Sequence, residues 1–278
     1  MDAGMKAEKL RKMIRQYAHQ GVMVAFSGGV DSALLLKLAY MAAREAGGQA
    51  YAVTVHTRLH PAGEMEAAEK LCREIGARHL RVSIDELEEA GILDNPVERC
   101  YLCKKSLFTK IKELAATLQI PVIMEGTNQD DLQVYRPGIR ALGELGIVSP
   151  LAEAGMGKEE VRKLAEEYGL PVAAKPSLPC LATRFPYGTR LTYEKMKKAD
   201  EGENFLKGFG LHNVRLRVHG EIARLEVDEG DFSTILLYRK EITAKLKSLG
   251  YLYVALDLEG FRSGSMDVGL GTENTMKS

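Results

Sequence analysis

The sequence has no tryptophan and only four cysteines in 278 residues, at positions 72, 100, 103 and 180. So sparse a set excludes the disulfide-dense scaffolds of small secreted domains and points to metal or redox chemistry instead. There is no apolar run of the ~18 residues that a membrane-spanning helix needs. The stretch from Met1 to Lys12 is polar and charged, without the apolar core of a secretory signal. A cytoplasmic location with no membrane partner is therefore expected. Net charge is absent too, because 38 basic residues balance 38 acidic ones. That removes the global electrostatic pull toward nucleic acid, which is not expected as a partner, although a local basic patch stays open. No internal repeat is present. What remains is 45% hydrophobic and 27% charged, a globular composition in a chain long enough for one large domain or two ordinary ones.

The chain is organised around Val22-Met23-Val24-Ala25-Phe26-Ser27-Gly28-Gly29-Val30-Asp31-Ser32. The apolar, β-branched run reads as a buried strand. It breaks at Ser27-Gly28-Gly29 and passes into Ala33-Leu34-Leu35-Leu36, which reads as a helix. Glycines let backbone N–H groups approach a ligand that a Cβ would push away. Those groups, the helix start and the hydroxyls of Ser27 and Ser32 make an anion cradle suited to phosphate. The lysine that the Gly-x-x-x-x-Gly-Lys-Ser/Thr loop carries onto the β- and γ-phosphates is missing. Ser-Gly-Gly-Val-Asp-Ser in this setting resembles instead the PP-loop of ATP pyrophosphatases. Those enzymes cut ATP between the α- and β-phosphates and adenylate a substrate.

Helical spacing of Leu10, Ile14 and Tyr17 predicts a first helix over 7–20. Strands are expected at 50–55, 79–84 and 121–124. Helices are expected at 64–75, from the Cys100 region to about Leu118, and at 158–168. Strands alternating with helices predict an α/β domain with a parallel sheet covered on both sides and ligands beyond the carboxyl ends of its strands. The cluster Glu125-Gly126-Thr127-Asn128-Gln129-Asp130-Asp131 lies at such an end. Residues 136–146 read as a loop with helical character, and the proline-rich 171–186 as a long functional loop. Beyond Leu191 the pattern changes. A helix over 193–209, a hairpin of 214–218 with 222–227, one helix from Phe232 to Leu249 and a last strand at 251–257 predict a smaller α+β domain. From Ser263 onward no apolar period remains, and a mobile tail is expected. The division is thus a first domain over 1–175, a cysteine-bearing loop over 176–190, the small domain over 191–263 and a tail over 264–278.

Cys100 and Cys103 stand three apart at a helix start, beside Lys104 and Lys105, where the helix N-terminus favours thiolate. A zinc site would want two more soft ligands at recognisable spacing, and of the cysteines only Cys180 and Cys72 remain. Cys180 lies in a proline-stiffened loop with Arg184 near it, exposed enough to react. Cys72 falls on the apolar face of a helix and reads as core.

Four further segments follow the PP-loop in order. They are Arg99-Cys100-Tyr101-Leu102-Cys103-Lys104; Glu125-Gly126-Thr127-Asn128 with Asp131; Pro179-Cys180-Leu181-Ala182-Thr183-Arg184; and Val214-Arg215-Leu216-Arg217-Val218-His219-Gly220 leading to Ala223-Arg224-Leu225-Glu226. With the PP-loop they resemble the LarE family over roughly Met5 to Arg262. The resemblance implies an α/β parallel-sheet domain of the adenine nucleotide alpha hydrolase-like kind, followed by the smaller α+β domain. It implies an enzyme that adenylates a pyridinium-3,5-dicarboxylate mononucleotide with ATP and Mg²⁺ and then inserts sulfur. The product's two thiocarboxylates help hold nickel in the cofactor of lactate racemase.

By matching positions, Ser27, Gly28, Gly29, Asp31, Ser32, Glu125, Gly126 and Thr127 would serve ATP and Mg²⁺, with Asp31 catalytic. Lys104, Arg184, Arg215, Arg217 and Arg262 would neutralise substrate phosphate and carboxylates. Glu125, Glu203 and Glu226 match the family's polar site glutamates, and a solvated surface is the rival reading for Glu203. One branch of the family sacrifices the sulfur of a single loop cysteine, which Cys180 matches. Another holds a [4Fe-4S] cluster on three cysteines. Cys100 and Cys103 supply the extra two, so the resemblance implies the cluster branch, with Cys100, Cys103 and Cys180 as ligands and a sulfide or other sulfur donor to reload it. Arg215 and Arg217 share one strand face, two like charges that ask for an anion. The substrate is expected between the two domains, and the chain is expected to form a homo-oligomer. Three rivals stay open: a PP-loop tRNA thiolation enzyme, the sacrificial-cysteine version of the same sulfur transfer, and a non-catalytic nucleotide-binding or iron-sensing module.

Overall fold

The computed structural model describes residues 2–59, 63–133, 136–173, 180–262 and 264–268. The chain divides into two compact units. The first comprises Met1–Thr57, Ala62–Gly91 and Glu98–Leu178, and the second Arg58–Pro61, Ile92–Val97 and Pro179–Ser278. Among the described residues no helix is long and apolar enough to cross a membrane.

The first unit is built on β1 (Val22–Ala25), β2 (Ala50–His56), β3 (Arg78–Ser83) and β4 (Val122–Met124), all parallel, in the order β3-β2-β1-β4. Alternate residues feed two cores. Val22, Val24, Ala50 and Ala52 pack with Leu10 and Ile14 of α1 (Ala3–Ala18), Leu34 and Leu35 of α2 (Val30–Ala46), and residues of α3 (Glu64–Ile75). Met23, Tyr51, Val53 and Ile123 face the other way. The helices that follow are α4 (Glu86–Glu89), α5 (Arg99–Thr117), α6 (Gly138–Leu145), α7 (Pro150–Glu153) and α8 (Lys158–Glu167). Phe108 and Ile111 of α5 and Leu142 of α6 complete the second core, while Val161 and Leu164 of α8 join the first. Burial on both faces is why β1, β2 and β4 are mostly apolar runs, whereas the edge strand β3 carries polar residues and is only partly buried. From β1 the chain moves outward to β3 and then returns to the far side of β1 for β4. The direction of winding reverses between β1 and β4, and in open α/β sheets ligands bind at that reversal, beyond the carboxyl ends.

The second unit carries α9 (Tyr193–Lys207), β5 (Val214–His219), β6 (Ile222–Val227), α10 (Phe232–Leu237), α11 (Arg239–Ser248) and β7 (Tyr253–Leu256). β5 and β6 form the expected antiparallel hairpin, and β7 adds parallel to β6. One sheet face is apolar, with Val214, Leu216, Val218, Ala223, Leu225 and Val227 all buried. α9 lies directly on β5: a Cβ at Gly202 would stand 2.6 Å from Leu216 Cδ1 and 3.1 Å from Leu246 Cδ2. The other face carries Arg215, Arg217, Arg224 and Glu226, since the register pairs Arg215 with Glu226 and Arg217 with Arg224. Two earlier segments group with this unit through hydrogen bonds to its main chain and from it. Leu181 N donates to Leu59 O at 2.8 Å, Leu191 N to Leu93 O at 2.7 Å, and Asn95 Nδ2 to Pro186 O at 2.8 Å.

Three expectations change. Residues 136–146 contain the regular helix α6. The single helix over 232–249 is two, broken at Tyr238, whose ring lies 4.7 Å from that of Phe209; tertiary packing of an aromatic sets the break, with no proline or glycine to mark it. The stretch expected as a tail includes Ser265, which is buried and donates to Glu226 Oε1 at 2.6 Å; the expectation for 269–278 lies outside the described residues. So does 174–179, part of the proline-rich loop; beyond it Leu181–Arg184 forms one 3₁₀ turn.

Candidate active site

β1 ends at Ala25, and Ser27 to Ser32 turn over its carboxyl end into α2. Gly28 holds a positive φ of 73°, and a Cβ there would meet Ala68 Cβ of α3 at 3.2 Å, so only glycine lets the loop lie this close to the helix. Ser32 Oγ accepts from Ser27 N at 3.3 Å and donates to Gly29 O at 3.1 Å. Gly29 N contacts Ser27 Oγ at 3.3 Å. These are long bonds, a cradle whose donors are only loosely engaged with each other.

The loop after β4 closes the other wall. A Cβ at Gly126 would stand 3.0 Å from Asp31 Cβ. Glu125 is buried and spends one oxygen inside the protein: Oε1 accepts from Thr127 N at 2.9 Å and Ser149 Oγ at 2.6 Å, and Oε2 lies 3.5 Å from Lys104 Nζ. Asn128 Nδ2 donates to Asp31 Oδ1 at 3.1 Å, while its own N–H donates to Asp131 Oδ2 at 3.1 Å. Asp31 Oδ2 is paired with Lys158 Nζ, from the first turn of α8. Sequence reasoning missed Lys158. It lies 127 residues from Asp31, and no local pattern sets it apart from the lysines and glutamates around it. The loop thus has no lysine of its own and receives one from another helix.

In the second unit, Arg184 and Glu203 are 2% and 1% exposed and meet as a two-pronged pair, Nε to Oε1 and Nη2 to Oε2, both at 2.8 Å. Arg184 Nη1 also donates to Cys180 O at 3.2 Å and Thr183 Oγ1 at 3.0 Å, and Glu203 Oε1 accepts from Leu216 N at 3.0 Å. The pair ties the cysteine-bearing turn to β5. Arg217 donates to Glu226 Oε2 at 2.9 Å and Thr183 O at 2.9 Å. Glu226 is fully buried and also takes Arg224 at 3.0 Å. Arg262 lies 3.5 Å from Asp257 and 2.6 Å from Glu259. Glu203 is therefore no solvated surface residue. The anion that the paired charges of Arg215 and Arg217 ask for is, for Arg217, an internal one. Among the described residues no carboxylate pairs with Arg215, whose guanidinium lies over the Phe261 ring. Burial and the neighbouring Arg184 push its pKa down from the usual arginine value.

The sequence is similar to known proteins over most of its length. A family model described as a PP-loop domain covers residues 4–135. The pyridinium-3,5-bisthiocarboxylic acid mononucleotide synthase of Lactiplantibacillus plantarum is 36% identical over 249 residues, 89% of this chain and 89% of that protein. The chain belongs to the LarE family. It is an ATP-dependent sulfurtransferase. A Synechocystis protein described as uncharacterized is 37% identical over 264 residues, 94% of this chain and 97% of its own. The tRNA-specific 2-thiouridylase MnmA of Acidithiobacillus ferrooxidans is more distant, 29% identical over 223 residues, 67% of this chain and 61% of that protein.

In this LarE-family chain the cysteines divide between the units. Cys100 and Cys103 stand in the first and second turns of α5, Cys100 exposed and Cys103 half-buried, and Cys180 is half-buried in the second unit. Among the described residues no three or more His, Cys, Asp or Glu side chains are arranged to hold a metal ion. Cys72 is core, as read: buried, donating to Ala77 O at 3.4 Å, its thiol pushed up to about 11 by burial.

Proposed function

We propose that this enzyme adenylates the carboxylates of a pyridinium-3,5-dicarboxylate mononucleotide and converts them to thiocarboxylates for a nickel-holding cofactor. The observation that carries the reading is Asp31 at the mouth of a phosphate cradle whose own loop has no lysine, held by Asn128 and by Lys158 from α8. A carboxylate oxygen attacks the α-phosphorus of ATP, and pyrophosphate leaves. The N–H groups of Ser27 to Ser32 receive the β- and γ-phosphates, and Lys158 neutralises charge as it builds on the departing pyrophosphate. Sulfur at the sulfide level then adds to the acyl carbon and AMP leaves, a far better leaving group than oxide. Arg215, with no carboxylate partner among the described residues, takes an anionic group of the substrate. The buried ion pairs of Arg184 and Arg217 hold the Cys180 turn and β5 in place.

Mg²⁺ commonly binds through one or two carboxylates together with substrate phosphates, and Asp31 beside the cradle fits that pattern. Cys100, Cys103 and Cys180 are soft thiols of the kind that holds iron–sulfur groups, and they would hold the [4Fe-4S] cluster. Such a cluster on three thiolates leaves one iron without a protein ligand, a place for sulfide.

The test is turnover with ATP and the dicarboxylate. AMP and pyrophosphate are expected, and Asp31→Ala should abolish pyrophosphate release without unfolding the chain; ADP and phosphate as products would overturn the reading. Anaerobic reconstitution should give about four irons per chain, lost in each of Cys100→Ala, Cys103→Ala and Cys180→Ala and kept in Cys72→Ala. A stoichiometric dehydroalanine at Cys180 after turnover would replace the cluster with a sacrificial cysteine.

A further inference from the structure

We infer that His79, which touches no part of the phosphate cradle, positions it through Thr54. Phe26 N still donates to Val53 O at 2.8 Å, but beyond that bond the chain leaves the sheet. The Phe26 carbonyl instead accepts from Thr54 Oγ1 at 2.8 Å. Thr54 is buried on β2, and its hydroxyl has one proton to give. That proton is spent on Phe26. The second contact of the same oxygen, 2.8 Å to His79 Nε2, therefore has the imidazole as donor. This assigns the tautomer: hydrogen on Nε2, Nδ1 bare.

The surroundings agree. Nδ1 lies 3.9 Å from Glu69 Oε1, beyond hydrogen-bond reach, and Glu69 is engaged by Arg81. Burial, with Arg73 nearby, pushes the His79 pKa down from the usual imidazole value, so the ring is neutral at pH 7. Phe26 packs edge-on against it at 6.4 Å.

The consequence lies one atom further along the chain. A peptide unit is planar and trans, so a carbonyl fixed on one side fixes the next N–H on the other. Holding Phe26 O toward Thr54 turns Ser27 N–H into the loop, where it meets Ser32 Oγ at 3.3 Å. Ser27 N–H opens the row of donors that receives the phosphates. His79 is thus a positioning residue two hydrogen bonds removed from ATP, and its task is to hold the Thr54 hydroxyl on Phe26.

Equilibrium titrations with ATP and with adenosine test this, because only ATP uses the cradle. His79→Leu keeps the bulk but cannot donate, and should weaken ATP binding about tenfold, the scale of one hydrogen bond lost at a charged ligand. Adenosine affinity and thermal midpoint should stay put. His79→Gln places an N–H donor near the Nε2 position and should bind ATP within about twofold of the parent protein. Thr54→Val should match His79→Leu, and the double variant should lose no more than either alone. Should His79→Leu fail to fold, Thr54→Ser against Thr54→Val reads the same relay, with serine retaining ATP binding. Equal losses for ATP and adenosine, equal losses in His79→Leu and His79→Gln, or equal ATP binding by Thr54→Ser and Thr54→Val would overturn the relay and leave His79 a packing residue.

Discussion

Asp31 faces a lysine, and the charge logic of that pairing makes a prediction. Lys158 balances the charge of Asp31. ATP would bring several negative charges to the same place, and the lysine would gain a stronger partner. Lys158→Met should raise the ATP concentration for half-saturation by ten- to a hundredfold, given the ~1.5–3 kcal/mol of a hydrogen bond to a charged group, with Lys158→Arg recovering part of it; pyrophosphate release against ATP concentration measures this. The Arg184–Glu203 pair predicts a loss of stability. Both groups are almost fully buried, so removing one strands the other. Glu203→Leu should cost about 3–5 kcal/mol, and Arg184→Met with Glu203→Leu distinctly less, because an apolar replacement of both partners leaves no orphan charge. Urea unfolding followed by circular dichroism reads both. These residues were unequally legible. Ser27, Gly28 and Asp31 stand together in six residues, and their chemistry is local. Lys158 joins them only through folding, and nothing in Glu194, Glu201 or Glu203 tells which glutamate will be buried.

Elements were more legible than their company. Glu64–Ile75 was read to the residue because Gly63 and Gly76 bracket a clean apolar stripe. The 232–249 helix was misjudged because its break depends on Phe209, far off in sequence. The start of α8 shows how one element serves another. Glu160 Oε2 accepts from Gly157 N at 2.9 Å, closing the helix N-terminus that presents Lys158, and both carboxylate oxygens take Lys6 Nζ of α1 at 2.8 Å. The bond from Lys6 holds the Glu160 pKa below the usual carboxylate value. A carboxylate with a lowered folded pKa stabilises the fold above its unfolded pKa, about 4.3, and that contribution is lost as pH falls through the folded value. Lys6→Met should therefore lower the urea midpoint at pH 7 and reduce its fall on acidification below about pH 4.5. An acid profile parallel to that of the parent protein would place the stabilisation elsewhere.

At the scale of the whole molecule, charge decides between two sulfur-transfer chemistries that share a PP-loop. The order of the sheet strands, which puts the loops after β1 and β4 side by side, is not written in any one strand and emerges only when four are assembled. Charge, by contrast, is written in composition and survives folding. The chain has 38 basic and 38 acidic residues, and several arginines of the second unit are paired within the fold: Arg184 with Glu203, Arg217 and Arg224 with Glu226, Arg262 with Asp257 and Glu259. A guanidinium neutralised within the fold releases no counterion from a phosphate backbone, and release of counterions supplies most non-specific affinity for nucleic acid. A compact anion that needs a single cation can still bind, through Arg215, which has no carboxylate partner among the described residues. Fluorescence anisotropy with bulk tRNA at about 150 mM salt should therefore show no saturable binding up to the ~10⁻⁴ M at which weak non-specific binders respond. Pyrophosphate release should be unaffected by tRNA and stimulated by the dicarboxylate mononucleotide. Stimulation by tRNA alone would move the enzyme to the thiouridylase side of the superfamily.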